Sequence, residues 1–129
     1  MAIGKIQVSK RKEKISHCKK IYSLYEEAIK DFDFIKIIDV NIKYEVPIYI
    51  EVISKKRKRL VKFLSEKGIN INLLPPSLHL SKHIKQDKNV FPNSLYYNKH
   101  SFILPSGPNQ SISNVNYVIG ILKEYNEKV

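Results

Sequence analysis

Two histidines, His79 and His83, lie four residues apart, shortly after a Pro-Pro pair. On a helix this spacing brings two imidazoles onto one face, as in many zinc sites. The glutamate of an HExxH pattern is missing, however, and the spacing comes without a complete ligand set. We therefore predict no metal site. A lone histidine in such a turn is more often a hydrogen-bonded structural residue than part of a functional site.

Five consecutive cations, residues 55–59, form what we call the basic run. With Tyr96, Tyr97 and Lys99 it could form a charged, aromatic surface for RNA or single-stranded DNA, because cations attract phosphates and rings stack on bases. At the start of the helix predicted from Ser54 to Lys67, these charges oppose the helix dipole and suggest a nearby anion. A solvated lysine-rich surface whose charges are screened by salt is the other interpretation, and we favour it. Only three of the 23 basic residues are arginine, which weakens a dedicated nucleic-acid function.

The composition describes the molecule that must position these residues. A length of 129 residues suits one domain, and 43% hydrophobic with 27% charged residues is typical of a globular protein. The net charge of +11 calls for an anionic partner to be considered. Cys18 is the only cysteine, so a reducing compartment is the simpler assumption. With no apolar run long enough for a signal peptide or a membrane span, we expect a cytoplasmic protein without membrane contact.

The first half of the chain predicts one helix and one strand. Residues 1–30 form a long charged helix, because apolar side chains recur at three- and four-residue spacing. Residues 31–44 lack a steady period, which predicts an irregular connection with a short extended piece at residues 34–38. β-Branched side chains dominate residues 46–53 and predict a strand, whose start lies at an edge because Pro47 donates no ladder hydrogen bond.

The middle of the chain predicts a helix followed by a second strand. Ser54 is placed to cap a helix that runs to Lys67, and Gly68 follows as the left-handed residue that ends it. Residues 69–73 alternate in polarity and predict the strand, which Pro75 terminates.

Three further elements complete the pattern. They are a helix capped by Asn93, a strand at residues 101–104, and an amphipathic helix from Ser111 or Ser113 to about Asn126. The apolar stripe of the last helix is expected to belong to the core.

Four short motifs stand along these elements in a fixed order. They are Gly68-Ile69 after a helix, Pro75-Pro76-Ser77-Leu78-His79 in a loop, Phe91-Pro92-Asn93-Ser94 at a helix start, and Leu104-Pro105 at a strand end. In this order they resemble the small C-terminal domain of nucleotide-sugar aminotransferases of the DegT/DnrJ/StrS type. The resemblance is strong from Val46 to Tyr125 and looser before Val46. Two departures are Ser77, which interrupts the family's Pro-Leu-His, and Leu74, which replaces a common aromatic residue.

The resemblance implies an α+β fold in two layers, with three or four strands and helices on one face of the sheet. A leading helix at residues 1–30 and an α+β core at residues 44–127 would form one domain spanning residues 1–129. Family enzymes hold pyridoxal phosphate on a lysine in a large domain upstream of the matched region. We therefore assign no catalytic, cofactor-binding or metal residue, and expect no cofactor on this chain alone. By the same likeness, His79 is the candidate for contact with a nucleotide-sugar or with a neighbouring subunit's site.

The resemblance further implies the C-terminal domain or a fragment of an aminotransferase acting on nucleotide-linked keto sugars, in surface polysaccharide or lipopolysaccharide biosynthesis. Such a chain would not be catalytically complete alone. Its leading helix would be partly uncovered, favouring self-association or docking to a large-domain partner. A fragment, half of a split enzyme and an inactive remnant all remain open, and a small basic RNA- or single-stranded-DNA-binding domain is the alternative from another functional class.

Overall fold

The computed structural model describes residues 2–84 and 90–128. Its elements are α1 (Ala2–Ser9), α2 (Arg11–Ile29), β1 (Lys36–Ile37), β2 (Ile50–Ile53), α3 (Arg57–Glu66), a 3-10 helix (Leu78–Leu80), α4 (Pro92–His100), β3 (Ser101–Leu104) and α5 (Ile112–Glu127). The fold is thus α+β, as the sequence predicts.

The three strands form an antiparallel sheet in the order β1-β2-β3. Val52 on β2 is opposite Ile37 on β1 and Phe102 on β3, and all three are buried in the core with side chains of α2, α3 and α5. Because side chains alternate along a strand, Glu51 points to the other face, where Tyr97 of α4 hydrogen bonds to it. Helical side chains therefore reach both faces of the sheet.

The predicted leading helix is divided into α1 and α2 at Lys10, and residue 1 lies outside the described part of the chain. The apolar stripe of α2 is buried as expected, including Cys18 and Tyr25. In α1, by contrast, Ile6 and Val8 are 55% and 68% exposed, so little tertiary packing holds its axis in line with that of α2.

Of the strands predicted at residues 46–53 and 69–73, the first is shorter than predicted and the second is not formed. Only Ile50–Ile53 of the strand at residues 46–53 joins the sheet. Before it Pro47 offers no donor, and Ile48 N–H bonds to the Val46 carbonyl within a bend. The strand predicted at residues 69–73 is wrong, since its pairing is a single bridge between Asn72 and Ile103.

The structure contradicts the predicted start of α3 and confirms the left-handed glycine that ends it. This helix begins at Arg57, because Ser54 Oγ donates to the Phe34 carbonyl (2.7 Å) and accepts from Lys56 N–H (3.2 Å) within a preceding turn. At the other end Gly68 has φ +75°, the predicted left-handed conformation, and Ile69 N–H donates back to the Leu64 carbonyl over 2.9 Å.

Of the caps predicted for α4 and α5, only that of α5 is formed. Asn93 does not cap α4, since Pro92 is its first residue and Phe91 occupies the cap position without a side-chain hydrogen bond. Ser111 caps α5 as predicted, with its Oγ accepting from Asn114 N–H over 3.1 Å.

Candidate functional site

The loop that carries the candidate histidine, residues 74–80, is here called the proline corner. It is fastened to α4 by two hydrogen bonds, from Asn98 Nδ2 to the Pro75 carbonyl (2.9 Å) and from Ser77 Oγ to the Ser94 carbonyl (3.1 Å). The corner ends in the 3-10 helix Leu78–Leu80. These bonds hold His79 at a fixed position beside the start of α4.

The imidazole of His79 is buried and incompletely bonded. Its residue is 7% exposed, and its ring lies 5.1 Å from the ring of Phe91. Within the described residues Nε2 has no hydrogen-bond partner, which costs a buried polar atom about 1 to 3 kcal/mol. A hydrogen-bond partner beside Nε2 would remove that cost. Because Nε2 itself is closed to solvent, a ligand or docked chain would reach it only after neighbouring side chains move.

Three exposed apolar residues lie next to His79, two beside it in the chain and one with its ring facing the imidazole, and are here called the apolar rim. Leu78, Leu80 and Phe91 are 76%, 38% and 42% exposed, respectively. Exposed apolar side chains gathered in one place indicate a contact surface.

His83 does not pair with His79. His83 is exposed and lies in a turn, so the helical spacing considered for a zinc site is not formed. Within residues 2–84 and 90–128, no group of three or more His, Cys, Asp or Glu side chains is placed to hold a metal ion.

The basic run lies next to the end of α4. Arg57 Nη1 donates to the carbonyls of Asn98 (2.6 Å) and Ser101 (3.1 Å), so this cation closes the junction between α4 and β3. The other four cations of the run are exposed. The sequence does not reveal the role of Arg57, because its acceptors lie more than 40 positions away, at a sequence separation of 41 and 44.

The tyrosines proposed for nucleic-acid stacking have different environments. Tyr96 is 45% exposed, with its ring 4.5 Å from that of His100, and remains available at the surface. Tyr97 is half-buried and donates to the Glu51 carboxylate. Burial, then the hydrogen bond and the negative charge of Glu51, raises the pKa of Tyr97 above its ordinary value. Tyr97 is therefore a packing residue and does not contribute an exposed ring.

A concave surface, here called the amide cleft, has no counterpart in the sequence-based expectations. It measures about 510 Å³ and lies between the segment after α3, the end of β3 and the start of α5. Amide side chains line it at Asn70, Asn72, Gln110 and Asn114. These residues are scattered along the sequence, so their individual positions carry no signal of a common site.

The described lysines do not fit the reactive end of pyridoxal phosphate. That cofactor needs a lysine amine for the Schiff base, in surroundings that favour its neutral form. Every lysine in residues 2–84 and 90–128 is exposed or half-buried. No step of cofactor chemistry is therefore assigned to a residue of this chain.

The sequence matches a known protein family. A sequence model of the DegT/DnrJ/EryC1/StrS aminotransferase family matches residues 1–123. No curated protein matches the sequence. In the described part of the chain, no helix has the length and apolar character needed to cross a membrane.

Solved structures share the fold at low sequence identity. DesV from S. venezuelae, in complex with a ketimine intermediate, is 18% identical, with a TM-score of 0.87 over 99% of this chain and 36% of DesV. The sugar aminotransferase CalS13 from Micromonospora echinospora is 13% identical, with a TM-score of 0.84 over 95% of this chain and 34% of CalS13. The E. coli GDP-4-keto-6-deoxy-D-mannose-3-dehydratase with bound hydrated PLP is 20% identical, with a TM-score of 0.74 over 94% and 34% of the two chains.

The chain thus spans about a third of the length of the solved structures that it matches. The family match, in contrast, extends over nearly all of its 129 residues. The recognition made from the ordered motifs is confirmed, and this chain belongs to the DegT/DnrJ/EryC1/StrS aminotransferase family.

Proposed function

We propose that this chain is the C-terminal small domain of a pyridoxal-phosphate-dependent aminotransferase that acts on nucleotide-linked keto sugars. The observation that carries the proposal is the family match over residues 1–123, together with superposition on about a third (36%) of the DesV chain. The E. coli neighbour, named for a GDP-linked keto sugar and bound to PLP, supports this substrate class and cofactor. The proposal includes a cytoplasmic location and a role in surface polysaccharide or lipopolysaccharide biosynthesis.

In this proposal residues 1–129 form one domain, with a leading helical segment (residues 1–30) and an α+β core (residues 44–127). The cofactor and its lysine belong to a large domain outside residues 1–129. When bound there, pyridoxal phosphate supplies the electron sink for amino transfer. The chain itself binds and orients, and it is not catalytically complete alone.

His79 has the central part in that binding. Among the described residues its Nε2 has no hydrogen-bond partner, and we propose that it bonds to an oxygen of the nucleotide-sugar or to the neighbouring subunit's site. The rim of Leu78, Leu80 and Phe91 would then pack against a large-domain partner or a second copy of the chain, because their exposed apolar area favours burial.

The test is co-expression of the chain with the coding sequence immediately upstream of it. We expect bound pyridoxal phosphate and turnover of a nucleotide-linked keto sugar only when both polypeptides are present. A stoichiometric adduct of the cofactor with a lysine of the chain alone, trapped by borohydride, would contradict the proposal. So would an upstream sequence that encodes no large domain.

Two pairs of matched variants test the corner within that complex. His79→Gln is expected to raise KM with little change in kcat, because the residue binds rather than reacts. His83→Gln, at an exposed histidine of the same loop region, should leave both constants unchanged. Leu78→Asp should weaken association in sedimentation experiments, whereas Tyr44→Asp, at an equally exposed residue (76%), should not. Equal effects within either pair would refute the assigned role.

A nucleic-acid-binding domain is the second candidate, and one observation favours it. The hydrogen bonds of Arg57 bring the exposed cations of the basic run beside the end of α4, where Lys99 and Tyr96 are exposed. Tyr97, however, is withdrawn from this surface by its bond to Glu51. We therefore rank this function below the aminotransferase domain.

A further inference from the structure

The amide cleft has an unusual chemical composition for this protein. The chain carries a net charge of +11, yet the described residues that line the cleft include no Asp, Glu, Lys, Arg or His. Two phenol rings, those of Tyr49 and Tyr117, line the cleft and are 64% and 53% exposed. The cleft is therefore polar, uncharged and partly aromatic.

These groups match the needs of a neutral polyhydroxylated ligand. Each side-chain amide offers two donors and one acceptor oxygen, so it can bond to a hydroxyl in either direction. An aromatic ring offers a flat apolar surface to the C–H face of a sugar ring. A phosphate, by contrast, is bound best by arginine, lysine or a cluster of backbone N–H groups. Among the residues that the structure describes, no cation lines the cleft, which argues against an anionic ligand.

The walls of the cleft are fixed without the help of its amide side chains. Ile103 N–H donates to the Asn72 carbonyl (2.9 Å), and Tyr117 Oη donates to the Lys67 carbonyl (3.0 Å). His17 Nε2 lies 2.7 Å from the Gln110 carbonyl oxygen, which connects α2 to the loop before α5. These bonds use main-chain carbonyls on the cleft side. No hydrogen bond within the described residues occupies the side-chain amides of Asn70, Asn72, Gln110 and Asn114.

A cleft whose frame is already held in place loses little freedom when a ligand enters, which favours affinity. We propose that the amide cleft is a binding site for a neutral saccharide, with Asn70 and Asn114 bonding to hydroxyls and Tyr49 stacking on a sugar ring. The site is distinct from the proline corner, since no residue of the corner lines the cleft. It would take an uncharged sugar unit, whereas the function proposed for His79 concerns a nucleotide-linked sugar.

The test is an NMR titration of the complete 129-residue chain, labelled with nitrogen-15, against D-glucose and N-acetyl-D-glucosamine. Glucose 1-phosphate serves as the charged comparison. We expect saturable shifts at the cleft residues with a Kd on the order of 1 mM for a neutral sugar, and weaker binding of the phosphate ester. The same spectra report whether each variant is folded.

Variants within one helix provide the control. Asn114→Ala removes an amide from the cleft and is expected to raise Kd about tenfold, the order of magnitude of one hydrogen bond. Asn116→Ala removes the same group two positions later, outside the cleft, and should leave Kd unchanged. The proposal is overturned if neither neutral sugar gives saturable shifts, if both variants behave alike, or if glucose 1-phosphate binds more tightly than glucose.

Discussion

Two core tyrosines are almost equally buried but differ by one hydrogen bond. Tyr25 is 0% exposed, and its Oη donates to the Pro105 carbonyl over 2.9 Å. Tyr125 is 2% exposed, and its Oη has no hydrogen-bond partner within residues 2–84 and 90–128. Substituting phenylalanine at either position removes only the hydroxyl group. The ring contacts of residue 125 with Phe34 and Phe63, at 4.9 and 5.1 Å, would be retained.

Only one of the two substitutions is expected to lower the free energy of unfolding. Tyr25→Phe removes a hydrogen bond and leaves a half-buried Pro105 carbonyl unpaired, which should destabilise the protein by about 1 to 2 kcal/mol. Tyr125→Phe removes a hydroxyl whose hydrogen bonds to water are lost on folding and are not replaced within the described residues. This substitution should therefore be neutral or stabilise the protein by up to about 1 kcal/mol. The two variants should therefore differ by about 2 kcal/mol, or roughly 6 °C in Tm for a chain of this size.

The assay is urea unfolding followed by circular dichroism, with the slope of the transition compared between variants so that only its midpoint is interpreted. A thermal melt of the same samples gives an independent value of the difference. If Tyr125→Phe destabilises the protein as much as Tyr25→Phe does, the hydrogen-bond assignment in the core is wrong. A large loss in both variants would also contradict it.

The remaining predictions concern the backbone, pH and salt. Gly68→Ala should destabilise by about 1 kcal/mol, because residue 68 has φ +75°, whereas Gly120→Ala within α5 should stabilise by a similar amount, and paired urea titrations would measure both. Burial raises the pKa of Tyr25 and Tyr97 above the ordinary 10.0, so their neutral forms stabilise the fold fully below about pH 10. That stabilisation is lost as the pH rises from about 10 towards the folded-state pKa, because the tyrosine hydroxyls of the unfolded chain lose their protons first. A urea midpoint that stays constant above pH 10 would contradict this prediction. Association with single-stranded DNA, measured by fluorescence anisotropy, should be weak and independent of base sequence. Tight binding that is abolished by charge reversal in the basic run would instead favour the nucleic-acid function.

Local signals in the sequence predicted several elements correctly. The apolar spacing of α2 and α5, the left-handed Gly68 and the Ser111 cap depend on residues within a few positions of one another. Such features are stabilised by contacts inside one helix or turn, so the chain specifies them without knowledge of distant partners. The ordered motifs that identified the family are of the same kind.

The extent of the strands was decided by packing. Alternation at residues 46–53 and 69–73 satisfies the pattern of a strand, but pairing also requires a neighbouring backbone with free donors and acceptors. Ile50–Ile53 has such neighbours on both sides, whereas the second segment meets β3 only at Asn72. The side-chain pattern of one segment does not show where the strand that pairs with it begins and ends.

By itself, the sequence determined the family, the α+β class, and the helices whose faces repeat at short range. Only the tertiary structure decided that His79 is buried and that its Nε2 lacks a partner in the described part of the chain. The same holds for Arg57, which closes the α4–β3 junction, and for the scattered amides that meet in one cleft. The physical reason is distance along the chain. Each of these features joins groups separated by many residues, and only folding brings such groups within the reach of a hydrogen bond or a common ligand.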